Sequence, residues 1–116
     1  MRRSEVWLVE LDPAVGSEAN KTRPCVIVSN DSRNIVAARG GRSVVTIVPF
    51  TSAERPPRPF QARIPAEHGN GLAVDSIAQA EQIRSVDVAR MVSRLGDLRT
   101  EHMAAIDAAI MLHLDL

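Results

Sequence analysis

A single cysteine, Cys25, stands among the 116 residues of the chain. One thiol excludes an intramolecular disulfide framework and a cysteine cluster for zinc, and it fits a reducing, cytoplasmic setting. No apolar run approaches the ~18 residues that a bilayer crossing needs, so no membrane association is expected. The opening Met1–Glu5 is basic, but strand-like residues follow it instead of the apolar stretch of a secretory signal. The Gly-x-x-x-x-Gly-Lys phosphate loop, the Gly-x-Gly-x-x-Gly turn and the Gly-x-Ser-x-Gly elbow are all missing. The three histidines, His68, His102 and His113, are poorly placed for paired acid–base work and read as solvated or packing residues. No His/Asp/Glu group has metal-ligand spacing, so neither a metal nor another cofactor is expected.

Net charge is absent too, with 14 Lys/Arg against 14 Asp/Glu. The distribution says more than the sum. Residues 1–63 hold ten cations and six anions, whereas residues 64–116 hold four and eight. A basic front half and an acidic back half suggest one electropositive face. Hydrophobic residues at 45% and charged residues at 24% are the proportions of one soluble globular domain spanning 1–116.

Glu5–Leu11 reads as a first strand, and the polar segment Asp12–Thr22, with Pro13 and Gly16, as a long loop. Pro24–Ser29 reads as a strand buried on both faces, since its apolar run is nearly continuous. Asn30–Asn34 fits a turn or a helix start. Ile35–Arg39 fits one helical turn, broken by Gly40-Gly41. Ser43–Phe50 has strong strand propensity, and the Pro-rich Thr51–Pro59 reads as a loop. Further strand material covers Phe60–Ile64, Leu72–Gln82, Ile83–Val86 and Val92–Leu95, the last closed by Gly96. Thr100 is placed to cap a helix through Leu112 whose buried face holds Met103, Ile106 and Ile110. Short strands followed by one C-terminal helix predict a small β-barrel or curled antiparallel sheet. Helix-length crossovers are missing between the early strands, which argues against a parallel fold.

The polar groups left over sit at strand ends. Arg23 precedes the buried strand at Pro24, and Thr51 and Ser52 follow the one ending at Phe50. They share a rim if those strands are neighbours. Taken alone, each is also an ordinary structural arrangement.

These residues lie inside a pattern that resembles the MazF/PemK toxins of bacterial type II toxin–antitoxin systems. The similarity is carried by Arg3-Ser4-Glu5-Val6-Trp7 with Leu11-Asp12-Pro13, then by Gly16-Ser17-Glu18 with Lys21-Thr22-Arg23-Pro24 and Val28-Ser29-Asn30-Asp31. It continues through Val48-Pro49-Phe50-Thr51-Ser52 and Gln79-Ala80-Glu81-Gln82-Ile83-Arg84-Ser85-Val86-Asp87. The resemblance implies an SH3-like or CcdB-like barrel with a C-terminal helix, assembled as a homodimer and neutralised by a MazE-like antitoxin. It implies metal-independent cleavage of single-stranded RNA at a short sequence, leaving a 2′,3′-cyclic phosphate and a 5′-hydroxyl, with inhibition of translation and growth. The catalytic pair it implies is Arg23 and Thr51. The RNA contacts it implies are Ser17, Glu18, Asn20, Lys21, Asn30, Ser52, Glu81 and Gln82, with a barrel-edge role open for the last two.

For base stacking the chain offers only Trp7, Phe50 and Phe60. Trp7 alternates with core positions and reads as packing. Phe50, beside Thr51, is the better stacking candidate, with the core as its alternative. Two features depart from the family pattern. Cys25 replaces a more apolar residue, and Thr51–Pro59, with Arg55 and Arg58, matches no fixed pattern and is a place where the recognition sequence can be shaped. Two other functions compete: a CcdB-like gyrase poison that cuts no RNA, and a silent module that only binds RNA or antitoxin.

Overall fold

The computed structural model describes residues 1–40 and 43–116. Among the described residues, seven strands, two helices and two short 3-10 turns follow one another. The strands are β1 (Glu5–Glu10), β2 (Thr22–Ile27), β3 (Val44–Ser52), β4 (Gln61–Ile64), β5 (Ser76–Gln79), β6 (Arg84–Asp87) and β7 (Met91–Asp97). Helix α1 (Asp31–Gly40) lies between β2 and β3, and α2 (Thr100–Leu114) ends the chain. The sheet order is β4-β5-β3-β2-β1-β7, with β6 pairing a separate stretch of β3. All these pairings are antiparallel. The expected barrel is thus an open one: β4 and β7 end the order and do not pair with each other among the described residues.

Alternation along the strands builds two cores. Val6, Val26, Val48 and Phe50 point to one face, where Met103 and Ile106 of α2 cover them. Val9, Cys25, Ile27, Val45 and Ile47 point to the other, with Leu11 and Val86. Strands β2 and β3 therefore bury apolar side chains on both faces, as the nearly continuous run of β2 predicts. Phe50 is only 2% exposed, which gives it to the core and not to stacking. Trp7 is half-buried beside the second core, and its ring N–H donates to Glu5 Oε1 at 2.9 Å.

Several boundaries differ from the sequence expectations. Helix α1 runs well beyond one turn; Gly41, half of the expected break, lies outside the described residues. Asn30 starts α1 by accepting from Arg33 N–H through Oδ1 at 2.9 Å. Thr51 and Ser52 belong to β3 instead of following it, because β5 continues the ladder opposite them. Thr100 does not cap α2: Arg99 occupies the cap position and no side chain caps there. Ile110 is only partly buried, while Ala109 is buried beside Met103 and Ile106. Gly96 does not end β7. It pairs with Val6 inside the strand, and a side chain there would sit 2.4 Å from the Gly69 carbonyl oxygen. Glycine is required at this position by the close approach of the 67–71 turn.

Candidate functional site

Strands β2 and β3 are neighbours, with Cys25 opposite Pro49, Val26 opposite Val48 and Ile27 opposite Ile47. Continuing that register by two residues sets Arg23 opposite Thr51 at the sheet rim. Both line one cleft of about 230 Å³, together with Ser52, Phe50, Leu72 and Ser76. Two paired strands thus hold the guanidinium and the hydroxyl on rigid backbone.

Arg23 is half-buried, and Asn20 fixes its head. Its Nε donates to the Asn20 carbonyl at 2.8 Å and Nη2 to Asn20 Oδ1 at 3.2 Å. The remaining nitrogen, Nη1, is left for a ligand. Ser52 is exposed and donates to Glu54 Oε1 at 3.2 Å. No histidine lines this cleft.

A second cavity, about 590 Å³, shares Thr51 and Ser52 with the first as lining residues. Its other walls include Arg55, Arg58, Phe60, Gln61, Glu81 and His113. The topology explains why it exists. Strands β3 and β4 both run antiparallel to β5, with Ser52 opposite Ser76 and Gln61 opposite Gln79. The two strands are therefore parallel to each other, and residues 53–60 must travel back along the length of β5, a distance of roughly 10 Å. That return path walls a hollow whose inner lining includes Ile77 and Gln79 of β5.

A third hollow of about 350 Å³ follows, lined by Ser17, Glu18, Glu81, Gln82 and Arg84. Glu81 stands between the second and third hollows and lines both. Gln82 braces the long first loop: its Oε1 accepts from Ala19 N–H at 2.9 Å and its Nε2 donates to the Ser17 carbonyl at 3.0 Å. Glu18 stabilises the same loop by accepting from Val15 N–H at 2.7 Å. Lys21 is exposed at the loop's return, where its carbonyl accepts from Leu11 N–H at 2.8 Å.

The structure therefore gathers Asn20, Arg23, Thr51 and Ser52 at one rim, and Ser17, Glu18, Glu81 and Gln82 along the groove that continues from it. Asn30 stands apart. It follows the opposite end of β2, roughly 20 Å of strand away from Arg23, where it caps α1. Phe60, a stacking candidate from the sequence, lines the second hollow, and Gln61 and His113, which sequence reasoning missed, line it too. The ring centroids of Phe60 and His113 lie 6.2 Å apart at 49°. Only the fold brings the end of α2 to that wall, and no local spacing announces it.

Burial pushes the Cys25 thiol up to about 12, against the smaller opposing pull of Arg23 and Arg84. Cys25 is thus a small core residue and carries no chemistry. Among the described residues, no three His, Cys, Asp or Glu side chains converge as metal ligands, and no helix is long and apolar enough to cross a membrane.

The family model for the PemK-like, MazF-like toxin of type II toxin–antitoxin systems matches residues 2–114. Endoribonuclease MazF9 of Mycobacterium tuberculosis is 51% identical over 116 residues, covering 100% of this chain and 98% of that protein. MazF from Deinococcus radiodurans superposes with a TM-score of 0.81 at 21% identity, covering 100% of this chain and 97% of that one. A mycobacterial endoribonuclease in complex with its cognate antitoxin gives a TM-score of 0.77 at 22% identity, with 100% and 96% covered.

Proposed function

Because the chain belongs to the PemK-like, MazF-like toxins of type II toxin–antitoxin systems, we propose that it is an endoribonuclease acting at the Arg23–Thr51 cleft. Its substrate is single-stranded RNA, cut at a short sequence. The observation that supports this reading is the shared rim: neighbouring strands β2 and β3 bring a braced guanidinium and a hydroxyl to a single cleft.

The chemistry follows from the groups present. A ribose 2′-hydroxyl attacks the adjacent phosphorus and gives its proton to water, the bond to the 5′-oxygen breaks and that oxygen takes a proton from water, and a 2′,3′-cyclic phosphate and a 5′-hydroxyl are left. Negative charge builds on the phosphoryl oxygens during attack. The Nη1 edge of Arg23 and the Thr51 hydroxyl donate to that charge from fixed positions. Arginine, with an ordinary pKa above ~12, serves as charge and donor and not as a base.

The cations along the groove, Arg23, Arg55, Arg58 and Arg84, suit a phosphate chain, so binding weakens as salt rises. The same surface suits an acidic antitoxin segment as competitor, and a homodimer would join two such grooves about a two-fold axis. Exposed Val15 at the first loop and Leu112 and Leu116 at the C-terminal end offer apolar surface for such partners.

The test is incubation of labelled single-stranded RNA with the protein in excess EDTA, followed by analysis of the product ends. Cleavage with cyclic phosphate and 5′-hydroxyl ends is expected, and it should be lost in Arg23→Ala. Intact RNA together with gyrase arrest would overturn the nuclease reading. A strict Mg²⁺ requirement would overturn the mechanism.

A further inference from the structure

We propose that the hollow between residues 53–60 and the end of α2 is a nucleotide-reading subsite beside the scissile phosphate, selective for a base that carries an exocyclic amino group. This rests on the RNA-cleaving reading above. The hollow shares Thr51 and Ser52 with the cleft, so a strand lying across the cleft continues into it.

Three kinds of group converge there, each matched to one part of a nucleotide. Arg55 and Arg58 are exposed, and neither guanidinium is ion-paired among the described residues. They suit a backbone phosphate. Phe60 and His113 bring an aromatic wall from two separate elements. That wall suits the face of a base. Glu81 supplies the edge contact.

The case for Glu81 comes from a hydrogen-bond chain with one end missing. Arg58 N–H donates to Gln61 Oε1 at 3.1 Å, which fixes the direction of that amide. Gln61 Nε2 then donates to Glu81 Oε2 at 2.7 Å. Glu81 Oε1 is withdrawn from water and has no hydrogen-bond partner. An unmet carboxylate oxygen in such a place is costly until a donor arrives. Glu81 lines the hollow, so a base seated there brings a donor to its carboxylate. Adenine, cytosine and guanine carry an amino group able to meet it. Uracil has no exocyclic amino group: its one donor there, the ring N3–H, is flanked by two carbonyl oxygens that repel the carboxylate.

The experiment cleaves an RNA pool randomised around the cut and sequences the new 5′ ends. For the wild type, one position next to the cut should disfavour uracil. Glu81→Gln, nearly isosteric, should cut at the same bond and lose roughly tenfold of that discrimination at that one position. Phe60→Ala should weaken binding of an RNA with 2′-deoxyribose at the cut by roughly 5- to 150-fold. Phe60→Leu keeps the packing and should show a similar loss if stacking is the cause. Replacing Arg55 and Arg58 by Ala should flatten the salt dependence of binding by up to about two charges.

A folded Glu81→Gln with the wild-type preference at every position would overturn the subsite while leaving the nuclease reading intact. So would unchanged binding by Phe60→Leu. A wild-type protein that cuts no RNA in the pool overturns the nuclease reading, and the subsite with it.

Discussion

Replacing Arg23 by alanine should cost cleavage far more than it costs the fold. The guanidinium is held by Nε and Nη2 on Asn20, which leaves Nη1 without a protein partner, and Arg23 and Thr51 line the same cleft. Loss of one preorganised donor to a developing oxyanion typically lowers kcat by ~10²–10³, or ~2.7–4 kcal/mol. The two bonds to Asn20 lie at an exposed site, so their loss should cost about 1 kcal/mol of stability. For a chain of this size that is a Tm shift of about 5 °C or less. Arg23→Lys keeps the charge but cannot grip Asn20 while donating to phosphate, so it should rescue little. Asn20→Ala removes only the side-chain half of the grip and should lower kcat by roughly 2- to 10-fold. Single-turnover cleavage of a labelled oligonucleotide measures all three, with thermal melts alongside. A folded Arg23→Ala protein that cuts within about threefold of the parent rate would refute the role given to this residue.

Gly96→Ala should destabilise the protein by at least 1–3 kcal/mol (roughly) in urea unfolding, since its new side chain would meet the backbone of Gly69 and Asn70 at 2.4–2.5 Å. Gln82→Ala frees the backbone of Ser17 and Ala19, and should raise KM for RNA several-fold with little change in kcat, a split read from steady-state kinetics. The Ala66 N–H and the Arg63 guanidinium bonded to Asp75 hold its carboxyl below the usual value. A lowered carboxyl stabilises the fold above about pH 4 and loses that contribution as pH falls through its folded value. Asp75→Asn should therefore be less stable than the parent near neutrality and converge with it in acid, as melts across pH 2–6 (about) would record. Cys25, with its thiol pushed up to about 12, should resist thiol reagents at neutral pH in the native protein and react on unfolding.

The strands that carry the proposed chemistry were legible because their signals are local. A nearly continuous apolar run marks β2 and strong strand propensity marks β3, and the residues flanking them are Arg23 and Thr51. Whether the two meet is a question of strand order, which the sequence leaves conditional and the ladder answers. Thr51 and Ser52 look like loop residues beside Pro56 and Pro57, yet β5 recruits them into β3 from a distance. Gly96 carries the ordinary signature of a strand stop. Its actual constraint is a turn more than twenty positions earlier in the chain, which no local pattern encodes. His113 is exposed, in keeping with its reading as a solvated residue, and what the sequence does not show is Phe60, from another element, beside it. The misses share one cause: each depends on a contact between segments far apart in sequence.

The return of residues 53–60 along β5 separates two kinds of inheritance within one small chain. Both ends of the segment are pinned by the same strand, Ser52 to Ser76 and Gln61 to Gln79. Between those pins the segment contributes no rung to any ladder. Its residues can be exchanged, or its length altered, without shifting the register that aligns Arg23 with Thr51. On the proposed reading, target preference is then free to drift between descendants while the Arg23–Thr51 pair stays in place. For the engineer, the same partition marks residues 53–60 as the cassette to randomise when a nuclease of this build is to be retargeted.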